Sequence, residues 1–102
     1  MSEKYQRFDP SEYLDTDEAI TVFLQDILES GDPKVIAGGL GDVARAKGMT
    51  SLAAAAGLSR ESLYRALSED GNPRLDTLMK VFAALGVKLT VAPAEAPPNA
   101  AE

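Results

Sequence analysis

Apolar residues recur along this chain at the three- and four-residue intervals of amphipathic helices, and glycines and prolines interrupt the pattern. These intervals predict five helices. The first begins at Asp15, the second runs from Pro33 to Gly48, the third and fourth lie on either side of Gly57, and the last ends at Gly86. The expected fold class is therefore all-α, with an N-terminal arm and one short C-terminal strand.

One face of each long helix is expected to be buried. Asp15, followed by Glu18 three residues later, predicts the start of the first helix, and Asp32 before Pro33 predicts the cap of the second. The positions predicted to face the core are Ile20, Phe23, Leu24, Ile27 and Leu28 in the first helix, Val35, Ile36, Leu40, Val43 and Ala44 in the second, and Leu75, Leu78, Met79, Phe82 and Leu85 in the last.

The second helix contains an unusual group of glycines, Gly38, Gly39 and Gly41. Each costs about 1 kcal/mol relative to alanine inside a helix. Either another backbone packs closely there or the helix is locally loose. We expect close packing against the first helix.

The C-terminal part of the chain changes pattern. Apolar and polar residues alternate from Val87 to Val91, which predicts a short strand. Because the chain shows no second strand, we expect this one to pair with a dimer mate or with another protein. Residues 92–102 are rich in proline, alanine and glutamate, a composition typical of a disordered tail.

The segment from Met49 to Ser68 has the most specific pattern in the chain. Leu52 and Ala56 give a short helix one apolar side, Gly57 provides a sharp turn, and Ser59 is a good N-cap for the helix that follows. This combination predicts a helix-turn-helix, which places its second helix in the DNA major groove. The alternative is an ordinary pair of amphipathic helices whose charged residues are only a solvated surface.

The second helix of this unit presents one continuous polar face. Two arginines suit guanine edges or phosphates, and a glutamate can accept a hydrogen bond from cytosine. The predicted DNA-binding residues are Ser59, Arg60, Glu61, Tyr64, Arg65 and Ser68.

The composition of the 102-residue chain excludes several kinds of site. It has no cysteine and no histidine, so disulfides, zinc fingers and imidazole catalysis are absent. Ser59 and Ser62 therefore have no histidine partner for nucleophilic catalysis, and we expect neither an enzyme nor a cofactor or metal site. No signal peptide or membrane segment is apparent, and a cytoplasmic location is expected.

Charge is distributed unevenly along the chain, whose net charge is −6. Residues 1–32, an acidic arm with the first helix, have two basic and nine acidic side chains, whereas residues 33–91, the predicted DNA-binding domain with its strand, have eight basic and five acidic ones. Residues 92–102 add two acids. Because the middle region is only mildly basic, DNA binding is expected to require a homodimer that doubles the phosphate contacts.

Several motifs resemble those of the helix-turn-helix antitoxins known as probable addiction-module antidote proteins, which are related to HigA-type antitoxins. The resemblance spans residues 8–91. Its motifs are Phe8-Asp9 with Tyr13-Leu14, Gly48-Met49, Gly-Leu-Ser-Arg-Glu-Ser-Leu-Tyr at 57–64 with Ala-Leu-Ser at 66–68, Glu-Asp-Gly-Asn-Pro at 69–73, and Ala-Leu-Gly at 84–86. The glycine group at 38–41 departs from the pattern, since better helix formers are expected there.

The resemblance implies a lambda-repressor-like five-helix domain in a two-gene toxin–antitoxin module. Such a protein neutralises a RelE/ParE-superfamily toxin and represses its own operator. The acidic N-terminal region would complement a basic toxin, with Tyr5, Phe8 and Tyr13 as the predicted toxin-binding anchors. Alternatively, Phe8 and Tyr13 close the domain's own core over the first helix.

Two other functions are compatible with the sequence. One is a stand-alone helix-turn-helix regulator, which the absence of a neighbouring toxin gene would indicate. The other is a protein-interaction module that has lost DNA binding, which would fail to retard any operator fragment at low salt.

Overall fold

The computed structural model describes residues 13–68 and 70–94, and its regular structure within those ranges is entirely helical. The five helices are α1 (Asp17–Glu29), α2 (Pro33–Lys47), α3 (Met49–Ala56), α4 (Arg60–Ala66) and α5 (Leu75–Ala84). The predicted all-α class and the number of helices are thus confirmed for the described part of the chain. None of these helices is long and apolar enough to cross a membrane.

Helix α3 lies at the centre of the packing, in contact with α2, α4 and α5, while α1 packs on α2. The largest fully buried side chains are Leu40 and Val43 of α2, Leu63 of α4 and Val81 of α5. Leu63 belongs to the same core cluster as the buried residues of α2 and α5. This shared core fixes the orientation of α4.

The helix starts follow their capping residues. Asp32 Oδ1 accepts a hydrogen bond from Lys34 N at 2.9 Å, and Pro33 is the first residue of α2, as predicted. The predicted start of α1 at Asp15 was wrong. Thr16 is the N-cap, because its hydroxyl accepts a hydrogen bond from Ala19 N at 3.0 Å, and the helix begins at Asp17.

The apolar faces are narrower than the predicted ones. Four residues that were expected to face the core are exposed: Leu28, Val35, Leu75 and Met79. In α5 the predicted Leu78 and Phe82 do face the core, as does Leu85 just after the helix, and Val81 is an additional buried position that was not predicted. This stripe leaves Met79 on the solvent side, and Leu75 lies at the first position of the helix, beyond the core.

Two of the three glycines in α2 mark close approaches between helices. A methyl group on Gly39 would lie 2.7 Å from Ile27 Cγ2, so α2 packs tightly on α1, as expected. A methyl group on Gly41 would lie within 3.0 Å of the carbonyl oxygen of Leu67, at the end of α4. Helix α2 is continuous from Pro33 to Lys47, which argues against the locally loose alternative.

The predicted strand from Val87 to Val91 was wrong: no strand occurs in residues 13–68 and 70–94. After α5, Val87 N donates to Phe82 O at 3.0 Å and Gly86 N donates to Ala83 O at 3.0 Å, which closes the helix end. Val87 packs against the core, and the segment that follows borders a groove beside α1. An alternating sequence forms a strand only when a partner strand is available.

Candidate nucleic-acid interface

A sharp turn joins α3 to α4. Gly57 adopts a left-handed backbone conformation with φ 73°, which glycine reaches without a steric penalty. Gly57 N donates to Ala54 O at 3.2 Å and Leu58 N donates to Ala53 O at 2.9 Å. These bonds satisfy the last carbonyls of α3 and direct the chain into α4.

Ser59 begins α4 as its N-cap, as predicted. Its Oγ accepts a hydrogen bond from Ser62 N at 3.0 Å and lies 2.9 Å from the hydroxyl of Ser62. Leu58 is half-buried and Leu63 is fully buried against the core. Cap and apolar contacts together fix which side of α4 faces outward.

Replacing Ser59 by alanine should destabilise the protein by about 1 kcal/mol, because the amide of Ser62 loses its partner. Urea denaturation measures the change. Ser59→Asp is the matched control, since a carboxylate also caps a helix and should preserve most of the stability. Equal losses of stability in Ser59→Ala and Ser59→Asp would show that the missing cap hydrogen bond is not the cause.

The outward side of α4 is a continuous exposed surface. Arg60, Glu61, Tyr64 and Arg65 line one open depression, and Ser68 is exposed just beyond the helix. The guanidinium carbon of Arg60 lies 5.8 Å from the centroid of the Tyr64 ring, within range of a cation–π interaction. The structure therefore brings four of the predicted DNA-binding residues together on one surface, with Ser59 at the start of α4 and Ser68 beyond its end. We call these six residues the α4 face (Ser59, Arg60, Glu61, Tyr64, Arg65 and Ser68).

Two arginines that the sequence did not single out border the α4 face. Arg45 of α2 shares a small depression with Tyr64, Leu67 and Ser68. Arg74, just before α5, shares a groove with Ser62, Arg65 and Ser68. Helical spacing shows which side of α2 Arg45 occupies, but not that this side borders α4.

Both bordering arginines are close to a carboxylate of their own segment. Arg45 Nη2 pairs with Asp42 one turn earlier in α2. Arg74 Nε lies 3.4 Å from Asp76 Oδ1 at the start of α5. Each carboxylate reduces the positive potential around its arginine, although such exposed ion pairs add little to stability.

The aromatic residues proposed as protein-binding anchors are only partly within the described chain. Tyr5 and Phe8 lie outside it. Tyr13 is 59% exposed, whereas the adjacent Leu14 is 5% exposed and belongs to the core. Leu14 is thus part of the core, whereas Tyr13 is largely exposed. The alternative in which Phe8 and Tyr13 together close the core depends on Phe8, which lies outside the described residues.

No group of three or more metal-ligating side chains occurs within the described ranges. The α4 face itself presents guanidinium, carboxylate, hydroxyl and aromatic groups.

The chain is similar to known proteins over most of its length. Residues 4–93 match the family described as probable addiction module antidote protein. A protein of Haemophilus influenzae, itself uncharacterised, is 44% identical over 91 residues, which cover 89% of this chain and 94% of that protein. No solved structure matches the chain.

Proposed function

The chain belongs to the family of probable addiction module antidote proteins, and from this premise we propose that it is the antitoxin of a type II toxin–antitoxin module. It binds and neutralises a toxin of the RelE/ParE superfamily and represses its own operon. The observation that supports the second role is the exposed α4 face, which follows a sharp turn after α3. We propose that α3 and α4 are a helix-turn-helix of the lambda-repressor-like and HigA-like kind.

The chemistry of the α4 face supports DNA reading. Arginine guanidinium groups match the acceptor pair of guanine, and glutamate accepts from the amino group of cytosine. Arg60, Glu61 and Arg65 are exposed together on one side of α4, while Leu63 on the other side anchors the helix in the core. A helix held in this way can enter the major groove without disturbing the fold.

The charge distribution supports a separate surface for the toxin. Residues 1–32 contain nine acidic side chains and two basic ones, and an RNA-cleaving toxin needs a basic surface for its substrate. We propose Tyr5, Phe8 and Tyr13 as apolar anchors of this contact, with the surrounding carboxylates speeding association. Such a module acts in the cytoplasm and needs no cofactor.

Co-expression tests the proposal directly. The gene next to this one should encode a small basic protein that arrests growth when it is induced alone, and this chain should restore growth. Tyr13→Ala should weaken the rescue, whereas Thr50→Ala, an exposed change on α3, should not. An absent or harmless neighbour would contradict the antitoxin proposal and favour a stand-alone regulator.

We also expect a homodimer that binds two half-sites separated by about one helical turn of DNA or a multiple of it. Leu75 and Met79 of α5 are 68% and 51% exposed, and such apolar side chains suit a subunit contact. Light scattering at micromolar concentration should give a dimer mass for the wild type. Leu75→Glu with Met79→Glu should give a monomer, whereas Val22→Glu, at an exposed position of α1, should not. A monomeric wild type, alone and on DNA, would contradict the prediction.

One observation favours the alternative of an interaction module without DNA binding. The net charge of −6 opposes binding to a polyanion, and Asp42 and Asp76 offset two of the arginines near α4. Gel retardation at low salt separates the two functions, because an interaction module would retard no fragment from the upstream region of its operon.

A further inference from the structure

We propose that Arg45 and Arg74 bind backbone phosphates on the two sides of the DNA groove that α4 enters. The inference rests on the proposed DNA-binding function and extends its surface beyond α4. The major groove is about 12 Å wide and admits one helix, which then lies between the two phosphate backbones. Phosphate contacts fix the register of the reading helix and supply most of the sequence-independent affinity.

Arg45 borders α4 on the side of Tyr64 and Leu67. Gly41 lies one helical turn before it, and a methyl group there would be 3.7 Å from Arg45 Nη1 and within 3.0 Å of the Leu67 carbonyl oxygen. The guanidinium of Arg45 therefore extends to the C-terminal end of α4, where the helix dipole attracts a cation. The absence of a side chain at Gly41 permits this approach.

Arg74 borders α4 on another side, where it shares a groove with Ser62 and Arg65. Successive residues of an α-helix are rotated by about 100°, so Ser62 and Arg65 lie roughly half a turn around α4 from Tyr64 and Leu67. The two depressions adjoin at Ser68, so Arg45 and Arg74 lie on either side of the C-terminal part of the α4 face. The side chain of Arg74 is 83% exposed and accessible to a phosphate.

The paired carboxylates do not prevent such contacts. A guanidinium has five N–H donors, and Asp76 lies beside Nε of Arg74 while Asp42 pairs with Nη2 of Arg45. A phosphate can therefore bind each arginine beside its aspartate. Each aspartate nevertheless competes with a phosphate for its arginine, so replacing the aspartate should strengthen DNA binding.

The first experiment measures the affinity of the full chain for two fluorescent duplexes by anisotropy over a series of salt concentrations. One duplex is the upstream region of its operon and the other is a scrambled sequence of equal length. Arg45→Ala and Arg74→Ala should weaken binding to both duplexes by similar factors and reduce the slope of log affinity against log salt by about 1. Lys88→Ala is the matched charge control. Lys88 lies beside α1, in a groove that shares no residue with those around α4, and its removal should leave the slope unchanged.

The second experiment makes the opposite change. Asp42→Asn and Asp76→Asn should each tighten binding to both duplexes, whereas Asp26→Asn on α1, with the same change of charge, should have no comparable effect. A loss of DNA binding through misfolding cannot produce tighter binding, so this experiment remains decisive if Arg45→Ala folds poorly.

The outcomes distinguish the two proposals. If the wild type binds DNA but the arginine variants behave like Lys88→Ala, and the aspartate variants like Asp26→Asn, the phosphate contacts are refuted and DNA binding stands. A loss confined to the upstream duplex would also refute them, because it would indicate base reading. If the wild type binds neither duplex at low salt, DNA binding and the phosphate contacts are both overturned.

Discussion

Replacing Gly41 by alanine should destabilise the protein by about 1–3 kcal/mol, although helix propensity alone predicts a gain of about 1 kcal/mol. The added methyl group would lie within 3.0 Å of the carbonyl oxygen of Leu67. A main-chain oxygen at a helix end cannot rotate away like a side chain, so α2 or α4 must shift. Urea denaturation monitored by circular dichroism gives the change in the free energy of unfolding.

Gly39→Ala is the matched comparison, since it adds the same methyl group in the same helix. Its nearest contacts are Cγ2 and Cδ1 of Ile27, at 2.7 and 2.8 Å, and a side chain can adjust. Gly39→Ala should therefore cost less than Gly41→Ala. In an Ile27→Ala background, its cost should fall further, because the two nearest atoms are gone and only Cβ, at 3.3 Å, remains. A stabilised Gly41→Ala variant would show that α2 and the end of α4 do not pack as described.

Local signals in the sequence were enough to predict most of the helical framework. Asp32 before Pro33, and Ser59 after Gly57, act through hydrogen bonds within a few residues, and both caps lie where they were predicted. The start of α1 was harder to predict because Asp15 and Thr16 are both good capping residues. Which of them caps depends on backbone geometry, and the structure selects Thr16.

Tertiary packing decided the features that the sequence did not predict. The exposure of Leu75 and Met79 depends on how α5 is rotated against α3. The segment after Val87 alternates like a strand, but in the described chain it borders α1 and has no strand to pair with. The local periodicity of the sequence shows neither how α5 packs on α3 nor whether the segment after Val87 has a strand to pair with.

The same limit applies to the candidate site. The residues of the α4 face are close in sequence, so helical spacing grouped five of them, from Arg60 to Ser68, and Ser59 was recognised as the cap before them. Arg45 and Arg74 lie in other segments and reach α4 only through the fold. The DNA affinity of variants measures the proposed roles of Arg45 and Arg74, as it does those of the α4 face.

The double variant Arg60→Ala, Arg65→Ala should bind operator DNA at least roughly thirtyfold more weakly, a loss of about 2 kcal/mol or more. Each arginine that contacts a base in a two-pronged manner contributes about 1–3 kcal/mol of discrimination. Both side chains are exposed on α4, and neither belongs to the core, so the fold should persist. Anisotropy measurements with the operator duplex give the affinity, and circular dichroism verifies the helical content.

Two controls separate base reading from charge and from toxin binding. Arg60→Lys keeps the charge but loses the planar fork, so it should lose affinity for the operator duplex more than for a scrambled duplex. The double variant should still restore growth in cells that express the toxin, because the proposed toxin contacts lie in residues 5–30 rather than on α4. Unchanged operator affinity in a folded double variant would refute DNA reading by α4. Loss of both operator binding and toxin neutralisation would instead indicate that the two partners share the α4 face.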